Sequence, residues 1–376
     1  MDINGVRRFL RGAIDPFCLS EVEFRKKFRL SKALVRALIV ELRPYIYSSG
    51  RKGSLSVETK VFTALNFYAT GSYQRCIAES YIHCLGRSTA GECIREVTNA
   101  LNKPEVQKRW ITFPKTKEER RKIIKRNVDK FGIPNVLGYV DGTEVSIVTP
   151  HKALNPQCYW TRKHHYALNC QIICDSDLKI MNVVANHPGS CTDKYIFKNC
   201  AARRCMRRAF TEEPCWLLGD SGYTLEPWCI IPILDAEPGS NEESFTKRHC
   251  QSRNCVERCI GVLKGRFRCL LKDRVLHYDG KRAGEMVKAC CVLHNMCMDA
   301  RLPEPEVDEA VEGEEDGIPW VLQEHEAEDE EAEAAADARL IVDPNDRNIT
   351  RVAEEVRNRL VEFLVIDRLL RQEQQQ

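Results

Sequence analysis

The chain contains no CxxC pair among its 19 cysteines, which removes the common zinc-ligand spacings. The stretch "RHCQSRNCVERC" comes nearest, and its spacing fits no standard ligand set. No run of about eighteen apolar residues occurs, so no membrane span is expected. The start, "MDINGVRRFLRGAID", lacks an apolar stretch of the secretory kind, and no secretory signal is expected. No coiled-coil heptad shows. Aromatic residues make up 8% and are not grouped into the platforms that hold sugars, which weighs against glycoside hydrolysis by paired carboxylates. An odd cysteine count without a secretory signal points to reduced core thiols in a cytosolic or nuclear protein.

Charge is present in quantity and unevenly placed. The formal net charge is +3, yet residues 301–340 carry 16 acids against 2 bases, or −14. Residues 341–376 carry −1, which leaves +18 on residues 1–300. A body that basic suits a polyanionic partner, with nucleic acid first among them.

The spacing of apolar residues divides the chain. Residues 1–105 read as all helical. Ser20 and Glu23 form a capping-box pattern before "EFRKKF", and Ser31 precedes "KALVRALIVEL", which stops at Pro44. "SVETKVFTALNFYATG" is a further helix closed by Gly71. A short helix at "YQRCIAESYI", a turn at "HCLG" and a helix from Ser88 outline a helix-turn-helix. Arg87, Thr89, Glu92 and Arg95 would be its DNA contacts, and a plain helical bundle is the alternative. Residues 106–133 form a basic connecting segment. Its "KTKEERRKIIKR" suits a nuclear-import signal, a DNA-backbone contact or a solvated helix face. Residues 134–300 alternate strands ("VLGYVD", "TEVSIVT", "YALNCQIICD", "KIMNVVAN", "CWLLGD", "WCIIPIL") with helices, which predicts a mixed sheet covered by helices. "CYWTRKHHY" mixes aromatic and basic residues, as a DNA-contacting loop or a packed hairpin would. Residues 301–340 read as an acidic, disordered linker, and 341–376 as an amphipathic helix that docks back or meets a partner.

Three acids stand out. Asp141 and Asp220 each end an apolar run beside glycine, where burial without a partner would be costly. Glu257 borders the helical stripe Val256, Ile260, Leu263, Phe267 and Leu270, with Gly261 one turn on leaving space above it. Arg253, Arg258 and Lys264 surround Glu257 and would hold a nucleic-acid backbone. Two strand-end acids and a helix acid in a basic body suit paired Mg²⁺ ions, about 4 Å apart, for phosphodiester cleavage.

These stretches, "YVDGTEVSI", "LLGDSGYTLEPWCIIPI" and "RNCVERCIGVLKGRFRCL", resemble in order the three acid motifs of the PIF/Harbinger DDE superfamily of transposases, nearest to the Harbinger transposase-derived nucleases. "RKHHYALNCQIICD", "NHPGSCTDKYIF" and "CCVLHNMC" fit further elements, and the likeness spans roughly residues 20–300. It implies an α/β, RNase H-like mixed sheet flanked by helices and preceded by an all-helical region. It implies Asp141, Asp220 and Glu257 as catalytic, metal-holding residues for two Mg²⁺ ions, with Mn²⁺ as substitute, and Asp193 as a supporting acid. His294 and Asn295 would brace the fold. Glu144 stands where many relatives carry histidine, and on a strand it points away from Asp141. The family implies a DNA substrate, residence in the nucleus (also the cytoplasm), a Myb-like accessory protein and a homo-oligomer. The expected activity is a metal-dependent DNA endonuclease, transposase or transposase-derived. The alternative is a non-catalytic domesticated DNA-binding protein that keeps the fold.

Overall fold

A computed structural model describes residues 3–48, 54–151, 155–305 and 344–373. The acidic stretch expected to be a disordered linker lies, from residue 306 on, outside the described residues.

Eight helices come first: α1 (Ile3–Gly12), α2 (Glu21–Phe28), α3 (Lys32–Leu42), α4 (Val57–Thr70), α5 (Gln74–Glu79), α6 (Arg87–Leu101), α7 (Pro104–Trp110) and α8 (Lys117–Phe131). Their ends are set locally. Ser20 Oγ accepts from the Glu23 N–H while Glu23 receives the Ser20 N–H, the reciprocal cap read from the sequence. Ser31 and Ser56 cap α3 and α4, and Gly71 closes α4 in the left-handed region, φ +63°. The helix-turn-helix outline is only loosely met. α5 has six residues, the segment before α6 runs from Ser80 to Gly86, and α6 begins at Arg87 rather than Ser88. That connection is longer than the three or four residues of the usual motif. α6 buries Ala90, Ile94, Val97 and Leu101, leaving Arg87, Glu92 and Arg95 exposed and Thr89 half-buried.

The sheet follows: β1 (Val136–Ser146), β2 (Ala167–Cys174), β3 (Ile180–Pro188), β4 (Trp216–Leu218) and β5 (Cys229–Ile230), in the order β3-β2-β1-β4-β5. β1 pairs with β2 and β2 with β3 antiparallel, whereas β4 joins β1, and β5 joins β4, in parallel. The expected mixed sheet under helices is therefore present. Two details differ. "VLGYVD" and "TEVSIVT" are one strand, because Gly142 and Thr143 keep their pairing to Gln171 and Cys170. "WCIIPIL" is a strand only at Cys229–Ile230, since β4 offers just Leu217 and Leu218 to pair with it. Between β3 and β4 lie α9 (Asp193–Asn199) and α10 (Ala201–Glu212), which break at Cys200 where one helix was expected. α11 (Asn241–Arg266), α12 (Gly280–Asp299) and α13 (Pro344–Glu373) complete the chain.

Apolar side chains form a core on each face of the sheet. One joins Val140, Ile173 and Met181 to Phe197 and Met206 of α9 and α10. The other runs without interruption from Phe24, Phe28 and Leu65 through Tyr139, Val256, Phe267 and Leu293 to Leu360 and Leu364 of α13. The N-terminal helices thus share a core with the sheet, and α13 packs on α11, with Arg248 3.6 Å from Asp367. Twelve of the nineteen cysteines are buried and all are free thiols, behaving as small apolar side chains. Among the described residues no helix is long and apolar enough to cross a membrane.

Candidate active site

Asp141 lies mid-strand on β1, opposite Ile172 of β2. On its other side the parallel strand β4 stops at Leu218, opposite Tyr139, so Asp141 stands beyond β4's end. Asp220 follows β4 by two residues and turns back on itself, with the Gly222 N–H donating to its Oδ1 at 3.1 Å. Glu257 comes from the middle of α11. Asp193 occupies the first turn of α9, and Asn169 Nδ2 donates to its Oδ1 at 2.8 Å. Four carboxylates from four separate stretches thus meet where the parallel part of the sheet ends, the edge where sheets of this kind hold ligands.

Strand alternation sorts them by face. Asp141 shares the α11 side with Tyr139, while Gly142 and Asn169 belong to the α9 side. Gly142 is what lets the two sides approach, because a Cβ there would collide with the Asp193 carboxylate. Glu144 also lies on the α9 side, 3.2 Å from His165 Nε2.

The electrostatics are those of crowded acids. Burial pushes the Asp141 carboxyl up, Arg253 draws it down, and Asp220, Asp193 and Glu257 push it up again, to about 7. Burial raises Asp193 to about 6 against the Asn169 hydrogen bond, with Asp220 and Glu144 adding to the rise. Arg253 is the internal counter-charge. Its side chain is only 17% exposed, its Nη1 lies 3.1 Å from Asp141 Oδ2, and its Nη2 pairs with Glu257 one turn along α11. It was expected among the DNA-backbone contacts; it is instead committed to the acids inside the cluster.

The remaining expected contacts scatter. Arg258 is exposed and paired with Glu304. Lys264 is half-buried two turns beyond Glu257. Arg87, Thr89 and Arg95 belong to α6, in the N-terminal region. The "CYWTRKHHY" segment is a small hairpin, with Trp160 bridged to Tyr166. Gly261 has no atom within 4 Å of where a side chain would begin, so the space read beside Glu257 exists.

Two members of the site went unread in the sequence. Asn169 is hidden in a run of strand residues, and only the register shows it facing Asp193. Tyr223 follows Asp220 by three positions; its ring is 2% exposed and its buried hydroxyl has no hydrogen-bond partner. Burial and the charges of Asp193, Asp141 and Asp220 hold that hydroxyl strongly protonated. The "DSGY" spacing was the available signal.

The donor set, carboxylate oxygens with one orphaned hydroxyl close by, fits a hard divalent cation. Among the described residues no three candidate ligand side chains converge as a coordination sphere, and Arg253 stands between Asp141 and Glu257. The fit therefore requires Arg253 to yield its place.

Residues 140–295 match the family described as DDE superfamily endonuclease. A human protein named "Putative nuclease HARBI1" is 30% identical over 66% of this chain and 69% of its own length. The chain belongs to the Harbinger-type DDE superfamily endonucleases. The mouse protein of that name is 28% identical over 71% of the chain and 76% of its own length. "Protein ALP1-like" of Arabidopsis thaliana is 24% identical over 78% and 73%. No solved structure matches. The matched span of this Harbinger-type endonuclease begins one residue before Asp141 and ends at Asn295, so it encloses all four carboxylates.

Proposed function

We propose that the protein is a metal-dependent DNA endonuclease with an RNase H-like catalytic unit. The observation that carries this is the meeting of Asp141, Asp193, Asp220 and Glu257 at one sheet edge with a single internal cation. Asp141, Asp220 and Glu257 would hold two Mg²⁺ ions, with Asp193 in support. When bound, these ions supply activation of the attacking water and stabilisation of the leaving oxygen.

The chain's own residues do the rest. Asn169 and Gly142 fix the Asp193 carboxylate. The Gly142 N–H, donating to Asp141 Oδ1 at 2.9 Å, fixes one Asp141 oxygen and leaves Oδ2 to Arg253 or a metal. Released from that oxygen, Arg253 is placed to meet a phosphate at the same edge. Arg87 and Arg95, exposed on α6, and the half-buried Thr89 would contact DNA away from the chemistry. Lys117, Lys122 and Lys125, exposed on α8, suit the nuclear-import reading. A Myb-like accessory protein and self-association belong to the same proposal.

The test is a plasmid assay. Supercoiled DNA is incubated with the protein in Mg²⁺, Mn²⁺ or EDTA, beside Asp220→Asn. Nicking that needs both metal and Asp220 is expected; nicking indifferent to either sinks the proposal. One observation favours a second reading. Arg253 already neutralises the cluster from within, as suits a retired enzyme that binds DNA without cutting it. DNA binding with no nicking at any metal concentration would select that reading.

A further inference from the structure

A cavity lies away from the carboxylates, where the N-terminal helices meet the segment after α11. Its volume is about 630 Å³, within the range of about 300–1,000 Å³ that takes a compact ligand. Tyr73, Arg75, Arg87, Arg274, His277 and Tyr278 line it, and no carboxylate does. Its walls are held firmly. Gln74 Nε2 donates to Tyr278 Oη at 2.8 Å, and a Cβ on Gly71 would lie 2.9 Å from Cys269 Cα. Leu276 is tied to the end of β1, its N–H donating to Ser146 O at 2.9 Å while Val148 N–H donates to Leu276 O at 3.0 Å.

Two features narrow the ligand. Tyr73 is 66% exposed, with its ring 5.0 Å from that of His277, so an aromatic face stands open at the cavity. Arg75 is paired with Glu79, but Arg87 and Arg274 make no ion pair among the described residues. Open aromatic rings beside uncommitted guanidiniums suit a base stacked on the rings and a phosphate on the cations. The place is also informative. Ile147, bridged to Leu276, directly follows β1 and lies six residues on from Asp141, or roughly 20 Å at strand rise, about six nucleotide steps.

We infer that this cavity binds one unstacked nucleotide of a DNA strand, anchoring the substrate at a fixed distance from the carboxylate edge. The inference rests on the DNA reading above.

The test measures anisotropy of a short labelled single-stranded oligonucleotide with the full chain in EDTA. Tyr73→Ala should weaken binding about 5- to 100-fold, the cost of a lost stacking platform, and Tyr73→Phe should restore it. Arg274→Gln should lower the slope of log affinity against log salt by about one. Binding by Tyr73→Ala and Arg274→Gln equal to the parent overturns the inference. So does poly-glutamate binding that depends on Arg274 while oligonucleotide binding does not, since the occupant would then be an acidic peptide. Plasmid nicking by the parent and by Asp220→Asn, run in parallel, separates the two readings. Asp220-dependent nicking with unchanged binding by the cavity variants removes the cavity site alone. Weakened binding without any nicking removes the nuclease and keeps the cavity site.

Discussion

Two polar groups, one on α11 and one buried on α12, follow opposite rules. On α12, His294 Nε2 is 2.8 Å from Leu178 O, while its buried Nδ1 has no hydrogen-bond partner among the described residues. Asn295 Oδ1 accepts the Ile180 N–H at 2.9 Å while its Nδ2 donates to Ile180 O and Trp110 O, both at 2.7 Å. Asn295 is fully matched, and it ties the start of β3 to α7 and α12. On α11, Arg253 and Glu257 face Asp141 in a group with more negative than positive charge, one orphaned hydroxyl and open space above Gly261. Satisfied polar groups stabilise a fold; crowded acids cost stability and persist where something else is to be bound.

The largest effect should fall on chemistry at the crowded edge. Asp141→Asn, Asp220→Asn and Glu257→Gln should each lower plasmid nicking by roughly a thousandfold or more, as should EDTA. Asn295→Ala should lower it only as far as the folded fraction falls; equal losses at both places would erase the distinction.

Stability should divide the other way. Asn295→Ala strands the buried Ile180 N–H and C=O and should cost about 3 kcal/mol in urea unfolding. Asp141→Asn should stay within about 1 kcal/mol of the parent at neutral pH, because it removes both an attraction to Arg253 and a repulsion from three acids.

Arg253→Gln should destabilise the metal-free protein by about 2 kcal/mol, since a buried pair is broken while Asp141 can take up a proton. The same variant should gain more melting temperature than the parent on adding Mg²⁺, read against EDTA. A smaller gain would mean that Arg253 helps to hold the ion instead of standing in its way.

The last comparison concerns pH. Asp141 has a carboxyl raised from the usual value near 3.8 to about 7 by burial, so between those values the folded chain holds a proton that the unfolded chain has lost. Its contribution to stability is therefore full below pH 4 and shrinks as pH rises to 7. Buried His249 and His83, pushed down from 6.5 to about 4, act oppositely: their contribution is present above about 6.5 and fades as pH falls towards 4. The total curve mixes the two. Asp141→Asn minus parent isolates the first, and in the metal-free protein this difference should favour the variant increasingly from pH 4 to pH 7. A flat difference would show that Asp141 titrates as an ordinary carboxylate.

Much of this was legible in the chain. Helix ends followed from caps at Ser20 and Ser31 and from Gly71, because those signals act within a few residues. The stripe from Val256 to Leu270 came from apolar spacing, and all of it is buried except the half-buried Ile260, although Phe267 and Leu270 lie past the end of α11 at Arg266. Asp141, Asp220 and Glu257 stood out because each acid interrupts an apolar pattern.

The rest lay beyond any local pattern. Arg253 read as a DNA-backbone contact because its spacing to Glu257 gives a neighbour on the same helix, not the depth at which Arg253 sits or the arrival of Asp141 across 112 positions. Asn169 meets Asp193 through sheet register, and Gly142 matters only because the Asp193 carboxylate, packed on its own face of the sheet, needs its missing side chain. The sequence by itself determined which residues are helical, which acids break the pattern and where the charge lies. The tertiary structure alone decided that four carboxylates share one edge, that an arginine holds their place and that aromatic and cationic side chains line a cavity beyond the far end of β1. The physical reason is range: capping and amphipathic spacing act over a few residues, whereas charge crowding and cavities depend on which distant segments the core brings into contact.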